Sequence, residues 1–181
     1  MGAMRSLLRR FRAVLGQCDE PATLDGAVRI RRMRHGDLSA VAAIEGATFR
    51  GPWHASAFSR ALADPHHNFF VAEVDGSLVG YGGLWVEGRQ AHIAKLAVRE
   101  GYRRRGVGTT LLAHLLDHAR RLGLEQAYLE VRRSNLAAQQ LYRRMGFRFE
   151  RVQARAYPDD GEDALVFVAS GLLELPLHSN P

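Results

Sequence analysis

The stretch Val98-Arg99-Glu100-Gly101-Tyr102-Arg103-Arg104-Arg105-Gly106-Val107-Gly108-Thr109 constrains the fold more than any other. Residues 90–98 before it read as a strand. Residues 107–122 after it carry Leu111, Leu112, Leu115, Leu116, Ala119 and Leu122 at helical spacing. A strand therefore passes through a basic turn directly into a helix that opens on two glycines. Backbone without a side chain at Gly106 and Gly108 lets a ligand approach the main chain closely. The first N–H groups of a helix are unpaired and lie at the positive end of its dipole, so they suit an anion. Arg103, Arg104 and Arg105 add charge beside that end. Phosphate is the natural ligand; the alternative is a tight strand-to-helix turn with a solvated arginine cluster. The spacing is neither G-x-G-x-x-G nor the Walker pattern, which argues against a dinucleotide fold or an ATPase.

The rest of the chain alternates around this unit. Residues 28–33 interleave apolar positions with Arg29, Arg31 and Arg32 and read as an edge strand. Asp37 stands where it can cap a helix over 38–48 that turns Leu38, Val41, Ala42 and Ile44 inward. Phe49-Arg50-Gly51-Pro52-Trp53 breaks that helix, and a short second one covers 55–63. Asp75-Gly76 between the apolar runs 69–74 and 78–86 is a strong hairpin signal. After Gly123 come a strand over 127–132 and a helix over 135–145, capped by Ser134 and ended by Gly146. Two strands over 147–154 and 164–169 close the pattern. This is a mixed α/β domain with a strand–helix–strand crossover over 90–132.

Composition narrows the setting. A chain of 181 residues buries roughly 70% of its unfolded surface and needs neither disulfide nor metal to fold. Cys18 is the only cysteine, which excludes an internal disulfide and a zinc cage of several thiolates. His66 and His67 are adjacent and cannot both face one metal. His114 and His118, one turn apart without the glutamate of an H-E-x-x-H helix, read as a solvated helix face. No metal site is expected. No apolar run reaches the ~20 residues of a membrane span, and arginines interrupt the first residues too often for a secretory signal. The expected location is cytoplasmic.

Of the net charge of +6, residues 1–34 carry +5. Met4, Leu7, Leu8, Phe11, Val14 and Leu15 share one helical face, with arginines largely elsewhere, and a linker follows. Residues 1–27 are thus expected to be a basic amphipathic arm, 28–175 the domain and 176–181 a tail. Such an arm suits an anionic surface, a ribosome or an acidic partner; packing onto the domain is the plainer reading. Only Lys95 is a lysine; every other member of the 25 Lys+Arg is arginine.

Arg103-x-x-Gly106-x-Gly108 after a strand resembles motif A of the GNAT acetyltransferases. Leu129-Glu130-Val131-Arg132-x-Ser134-Asn135-x-x-Ala138-x-x-Leu141-Tyr142-x-x-x-Gly146-Phe147 resembles the matching C-terminal motif. With Tyr157-Pro158-Asp159-x-Gly161-Glu162-Asp163-Ala164 behind it and Phe49-x-x-Pro52-Trp53 ahead, the likeness narrows to RimI-type N-terminal protein acetyltransferases. It covers about residues 28–170. It implies a GNAT-type mixed central sheet of about seven strands flanked by about four helices, acetyl-CoA as donor, and a protein N-terminus, in the RimI group a ribosomal protein, as acceptor. Carried over by position, it assigns Leu96, Ala97 and Val98 to the acetyl and pantetheine end. Arg103, Arg104, Arg105, Gly106, Val107, Gly108 and Thr109 surround the pyrophosphate, and Asn135 contacts the donor. Glu130 matches the general base, Tyr142 the general acid, and Trp53 and Tyr157 border the acceptor. The family often has two tyrosines before the proline; here Ala156 precedes Tyr157.

These residue types suit the chemistry. An amine must lose a proton before it attacks a thioester, and an α-amino group has a pKa of about 7.7–8.0. A carboxylate supplies that modest deprotonation, and a phenol protonates the departing thiolate. A lysine acceptor, with a pKa near 10.4, costs roughly 3–4 kcal/mol more to deprotonate. Two rival readings remain: a GNAT enzyme acting on a lysine or small amine, and a ribosome- or nucleic-acid-binding module on a GNAT scaffold. A scaffold has no need of Glu130, Asn135 and Tyr142 together.

Overall fold

The computed structural model describes residues 27–174. The basic arm expected before Ala27, Cys18 within it, and the tail over 176–181 lie outside the described residues. The described chain forms two compact units, one built from residues up to 88 and 92–115, the other from 89–91 and 116 onward.

The first unit carries β1 (Arg29–Arg32), α1 (Leu38–Thr48), α2 (Ala55–Leu62), β2 (His67–Val74), β3 (Ser77–Glu87), most of β4 (Gln90–Val98) and the start of α3 (Val107–Arg121). Its strands follow the order β1-β2-β3-β4, so β1 is the edge strand its arginines suggest. β2 and β3 pair antiparallel across Asp75-Gly76, with φ of 49° and 74° at the turn. Alternation would put Val79 and Tyr81 on one face. A register shift between Ala72 and Glu73 separates them instead. Val79 packs with Ala72, Val74, Val107 and Leu111, whereas Tyr81 joins Val41, Ile44, Phe58, Phe69 and Val71 under α1 and α2. Gly80 is glycine because β4 passes so close: a Cβ there would stand 2.9 Å from the Ala97 carbonyl oxygen.

In this unit one cap differs from expectation. Asp37 makes no side-chain bond to the start of α1. Its carboxylate accepts from the Arg34 N–H (2.7 Å) and from both terminal nitrogens of Arg31 (2.7 and 2.8 Å), while Arg31 also holds Glu73 of β2. A guanidinium fork on a carboxylate is stronger than a neutral cap, so the aspartate ties β1 to the turn before α1. Arg31 is the main reason the Asp37 carboxyl lies below its ordinary range.

The second unit carries the end of α3, β5 (Gln126–Arg132), α4 (Leu136–Arg144), β6 (Arg148–Gln153) and β7 (Ala164–Ser170). Its strand order is β5-β7-β6, both pairs antiparallel. Every residue of β6 is exposed, and its charged side chains blunt an open edge. Along α3, Leu111, Leu112, Leu115, Leu116 and Ala119 are buried as their spacing requires. Leu122 is not: it follows the last helical residue and is 46% exposed. His114 is no solvated-face residue either, since its ring meets Phe70 edge-on at 4.5 Å. Among the described residues the elements number seven strands and four α-helices.

Candidate active site

In the first unit the basic turn is built from its own backbone. Arg99 N–H donates to the Val79 carbonyl at 2.8 Å, and Glu100–Tyr102 make one 3₁₀ turn. Arg103 Nε then donates back to the Val98 carbonyl at 3.0 Å, folding the turn against the strand it left. Arg104 (φ 62°) and Gly106 (φ 82°) both enter the left-handed region. That conformation costs a non-glycine residue on the order of 1 kcal/mol or more, and it is what Gly106 answers to, because a Cβ there meets nothing within 4 Å. Val107, 1% exposed, anchors the first residue of α3, and Gly108 and Thr109 lie partly exposed in its first turn. The side chains of Arg103, Arg104 and Arg105 are exposed, Arg105 lying 5.8 Å from the Tyr102 ring centroid. Open helix N–H groups beside this cluster suit a pyrophosphate.

Leu96, Ala97 and Val98 close β4 just before that turn. The strand's alternation departs at one position, Lys95, which is partly exposed where a buried residue is due; Leu96, Ala97 and Val98 keep the period.

Sequence reasoning missed a second group in the same unit. Glu45 of α1 is 0% exposed. Its carboxylate accepts from Lys95 Nζ (2.7 Å), the Trp53 backbone N–H (3.1 Å) and the Tyr81 hydroxyl. Lys95 Nζ also lies 4.7 Å from the ring centroids of both Phe49 and Trp53. Trp53 stacks on Trp85 at 6.1 Å. Two signals were present: Glu45 stands four residues after Val41 on the inward stripe, and Lys95 is the one lysine in an arginine chain.

In the second unit β5 alternates cleanly, placing Tyr128, Glu130 and Arg132 on the partly exposed face and Leu129 and Val131 in the core. The guanidinium of Arg132 is held by the loop over 155–163. One terminal nitrogen meets Asp160 and Glu162 at 2.9 Å each, the other meets Asp159 at 2.6 Å. The same guanidinium covers the Tyr157 ring at 3.9 Å. Glu162 also accepts from the Ser134 N–H at 2.6 Å, and that bond, ahead of Arg132, pulls its carboxyl below the usual range. The loop thus pins Tyr157 near Glu130, whose charge helps burial push the Tyr157 phenol up.

Ser134 does not cap α4. Asn135 does: its Oδ1 accepts from the Ala138 N–H at 3.1 Å, and the helix starts at Leu136. Buried Gln139, also missed, donates to the carbonyls of Arg132 (3.3 Å) and Arg133 (2.8 Å), fixing α4 to the end of β5. Tyr142 is 8% exposed, with Phe147 at 5.9 Å. Burial, reinforced by Tyr157, raises its phenol well above the ordinary value, so it stays protonated at neutral pH. Glu130, Tyr142 and Tyr157 therefore form one group, with Asn135 at the head of the helix that carries Tyr142. No cluster of metal-ligating side chains occurs among the described residues.

The basic turn at the head of α3 in one unit, and in the other a carboxylate near Tyr157, which in turn lies near Tyr142, are features an acyltransferase can use. The family model for the acetyltransferase (GNAT) family matches residues 38–147, and the chain belongs to that family. It is an acetyl-CoA-dependent N-acetyltransferase. The N-alpha-acetyltransferase RimI of Mycobacterium tuberculosis is 38% identical over 151 residues, spanning 80% of this chain and 90% of its own length. The ribosomal protein bS18-alanine N-acetyltransferase of Escherichia coli is 33% identical over 132 residues, 72% of this chain and 88% of that one. The crystal structure of the Escherichia coli ribosomal-protein-S18-alanine N-acetyltransferase matches with a TM-score of 0.73 at 29% identity, over 86% of this chain and 99% of that chain.

Proposed function

We propose that this chain acetylates the N-terminal α-amino group of a ribosomal protein, in the cytoplasm; similar enzymes are named as alanine N-acetyltransferases of ribosomal protein bS18. The observation that carries the reading is the grouping of Glu130, Tyr142 and Tyr157 on β5, α4 and the pinned loop. Acetyl-CoA, when bound, supplies an acyl group activated as a thioester. The turn over 103–109 would hold its pyrophosphate, and Leu96, Ala97, Val98 and Asn135 are the further residues that would bind it. Trp53 and Tyr157 border the acceptor. Glu130, directly or through a water, accepts the proton an ammonium must lose, an easy task at an α-amine pKa of about 7.7–8.0. Tyr142 donates a proton to the departing thiolate. Its raised pKa does not disqualify it, because the same burial penalises a thiolate formed beside it and so preserves the balance between donor and acceptor.

The test is acetyl transfer to a panel of peptides that begin like ribosomal proteins, with matched peptides whose α-amine is blocked and whose only amine is a lysine. Transfer to the free N-termini alone is the expected result. Equal transfer to the lysine peptides would replace this reading with that of a side-chain acetyltransferase.

A further inference from the structure

The group around Glu45 has no part in proton transfer as described, yet it concentrates the least ordinary chemistry in the first unit. Two aromatic faces 4.7 Å from one nitrogen and a carboxylate 2.7 Å from it make the geometry of an ammonium-binding cage. The cage is filled from within by Lys95. A compact ammonium, rather than the planar fork of an arginine, suits a space bounded by two rings and one carboxylate. In a chain that uses arginine at every other Lys or Arg position, lysine stands here.

The cage also joins particular segments. Lys95 immediately precedes Leu96 on β4. Phe49 and Trp53 bracket the break between α1 and α2, and Trp53 gives its backbone N–H as well as its ring. Glu45 itself is held by Tyr81 of β3. We propose that Lys95 is a positioning residue for the acceptor: its ammonium, seated between Phe49, Trp53 and Glu45, locks the segment over 49–53 in register with β4 and so fixes the wall against which the acceptor N-terminus is held. This rests on the reading that Trp53 borders the acceptor.

Lys95→Met deletes the charge and leaves Glu45 buried without it, so it is paired with the double variant Glu45→Gln/Lys95→Met, whose core groups are neutral. Both variants are expected to raise the peptide KM about tenfold while the acetyl-CoA KM stays within about twofold. Trypsin should cut both faster than the parent at the exposed Arg50, inside the released segment. The double variant recovers the melting temperature but not the peptide KM. In Lys95→Ala, n-propylammonium, which replaces the lost side-chain atoms, should lower the peptide KM and slow the cut, whereas 1-propanol should do neither; peptide product is followed by mass, since the amine is itself a possible acceptor. If the double variant regains its peptide KM together with its melting temperature, Lys95 only balances a buried charge and the proposal falls. Equal effects of propylammonium and propanol overturn it too. A parent protein that acetylates no peptide would count against the proposed acceptor, while the trypsin and propylammonium readouts would still decide the cage.

Discussion

A single carboxylate and a single phenol divide the proton traffic, and the division can be measured. Glu130→Gln keeps the shape of the side chain and removes the base, so acetyl transfer should fall by ~10²–10⁴ with acetyl-CoA affinity retained. Part of the loss should return as pH rises past the α-amine pKa of about 7.7–8.0, since free amine is then supplied by solution. Tyr142→Phe should also slow turnover, but higher pH should not rescue it, because neutral amine is not what that variant lacks. Rates of both variants between pH 6 and pH 9.5 decide the matter: parallel profiles would show that the two roles are not separate. The period of two in β5 made the face of Glu130 legible from sequence, and the structure keeps it. Lys95 and Glu45 each stood out singly, but their pairing was not legible, because it is a contact across fifty residues that no local pattern encodes.

At the scale of elements, the turn into α3 and the loop over 155–163 are rigid for different reasons. The turn is set by backbone, with Gly106 at φ 82° and Arg103 bonded to the Val98 carbonyl. A carboxylate placed at its mouth by Gly108→Glu should abolish acetyl-CoA binding in calorimetry while leaving the melting temperature within a few degrees, since Gly108 is partly exposed. The loop is set by charge. Asp37 near β1 and Glu162 in the loop both titrate below their ordinary values of 3.8 and 4.5. A carboxyl whose pKa is lower folded than unfolded stabilises the protein above its unfolded value, and that stability is lost as pH falls through the folded value. Stability should therefore be flat near neutrality and drop below about pH 4.5. In Arg132→Met, denaturant midpoints between pH 6 and pH 3 should fall less steeply than in the parent. The hairpin at Asp75-Gly76 was readable because its turn chemistry is local. The caps were misread because Arg31 draws Asp37 away from α1, and because Ser134 gives its N–H to Glu162 while Asn135 takes the cap.

For the molecule as a whole, the arm is the part whose removal is most telling. If residues 1–27 are accessory, a chain beginning near Ala27 should fold and acetylate free peptides about as well as the full one. Its binding to anionic vesicles or ribosomes should be weaker and less sensitive to salt, as expected when Arg5, Arg9, Arg10 and Arg12 are gone. Inactivity of the shortened chain on peptides would make the arm part of the core. A last consequence follows from the single lysine. Thioesters acylate exposed amines without help, and a protein that works bathed in one is its own nearest target. Here the side-chain amine lies 13% exposed between two rings and a carboxylate. Prolonged incubation with acetyl-CoA at alkaline pH should therefore add no acetyl mass to Lys95 until the fold is opened with denaturant. The one lysine is thus shielded from the reagent the enzyme uses, and mass gained at Lys95 becomes a direct count of molecules that have come undone.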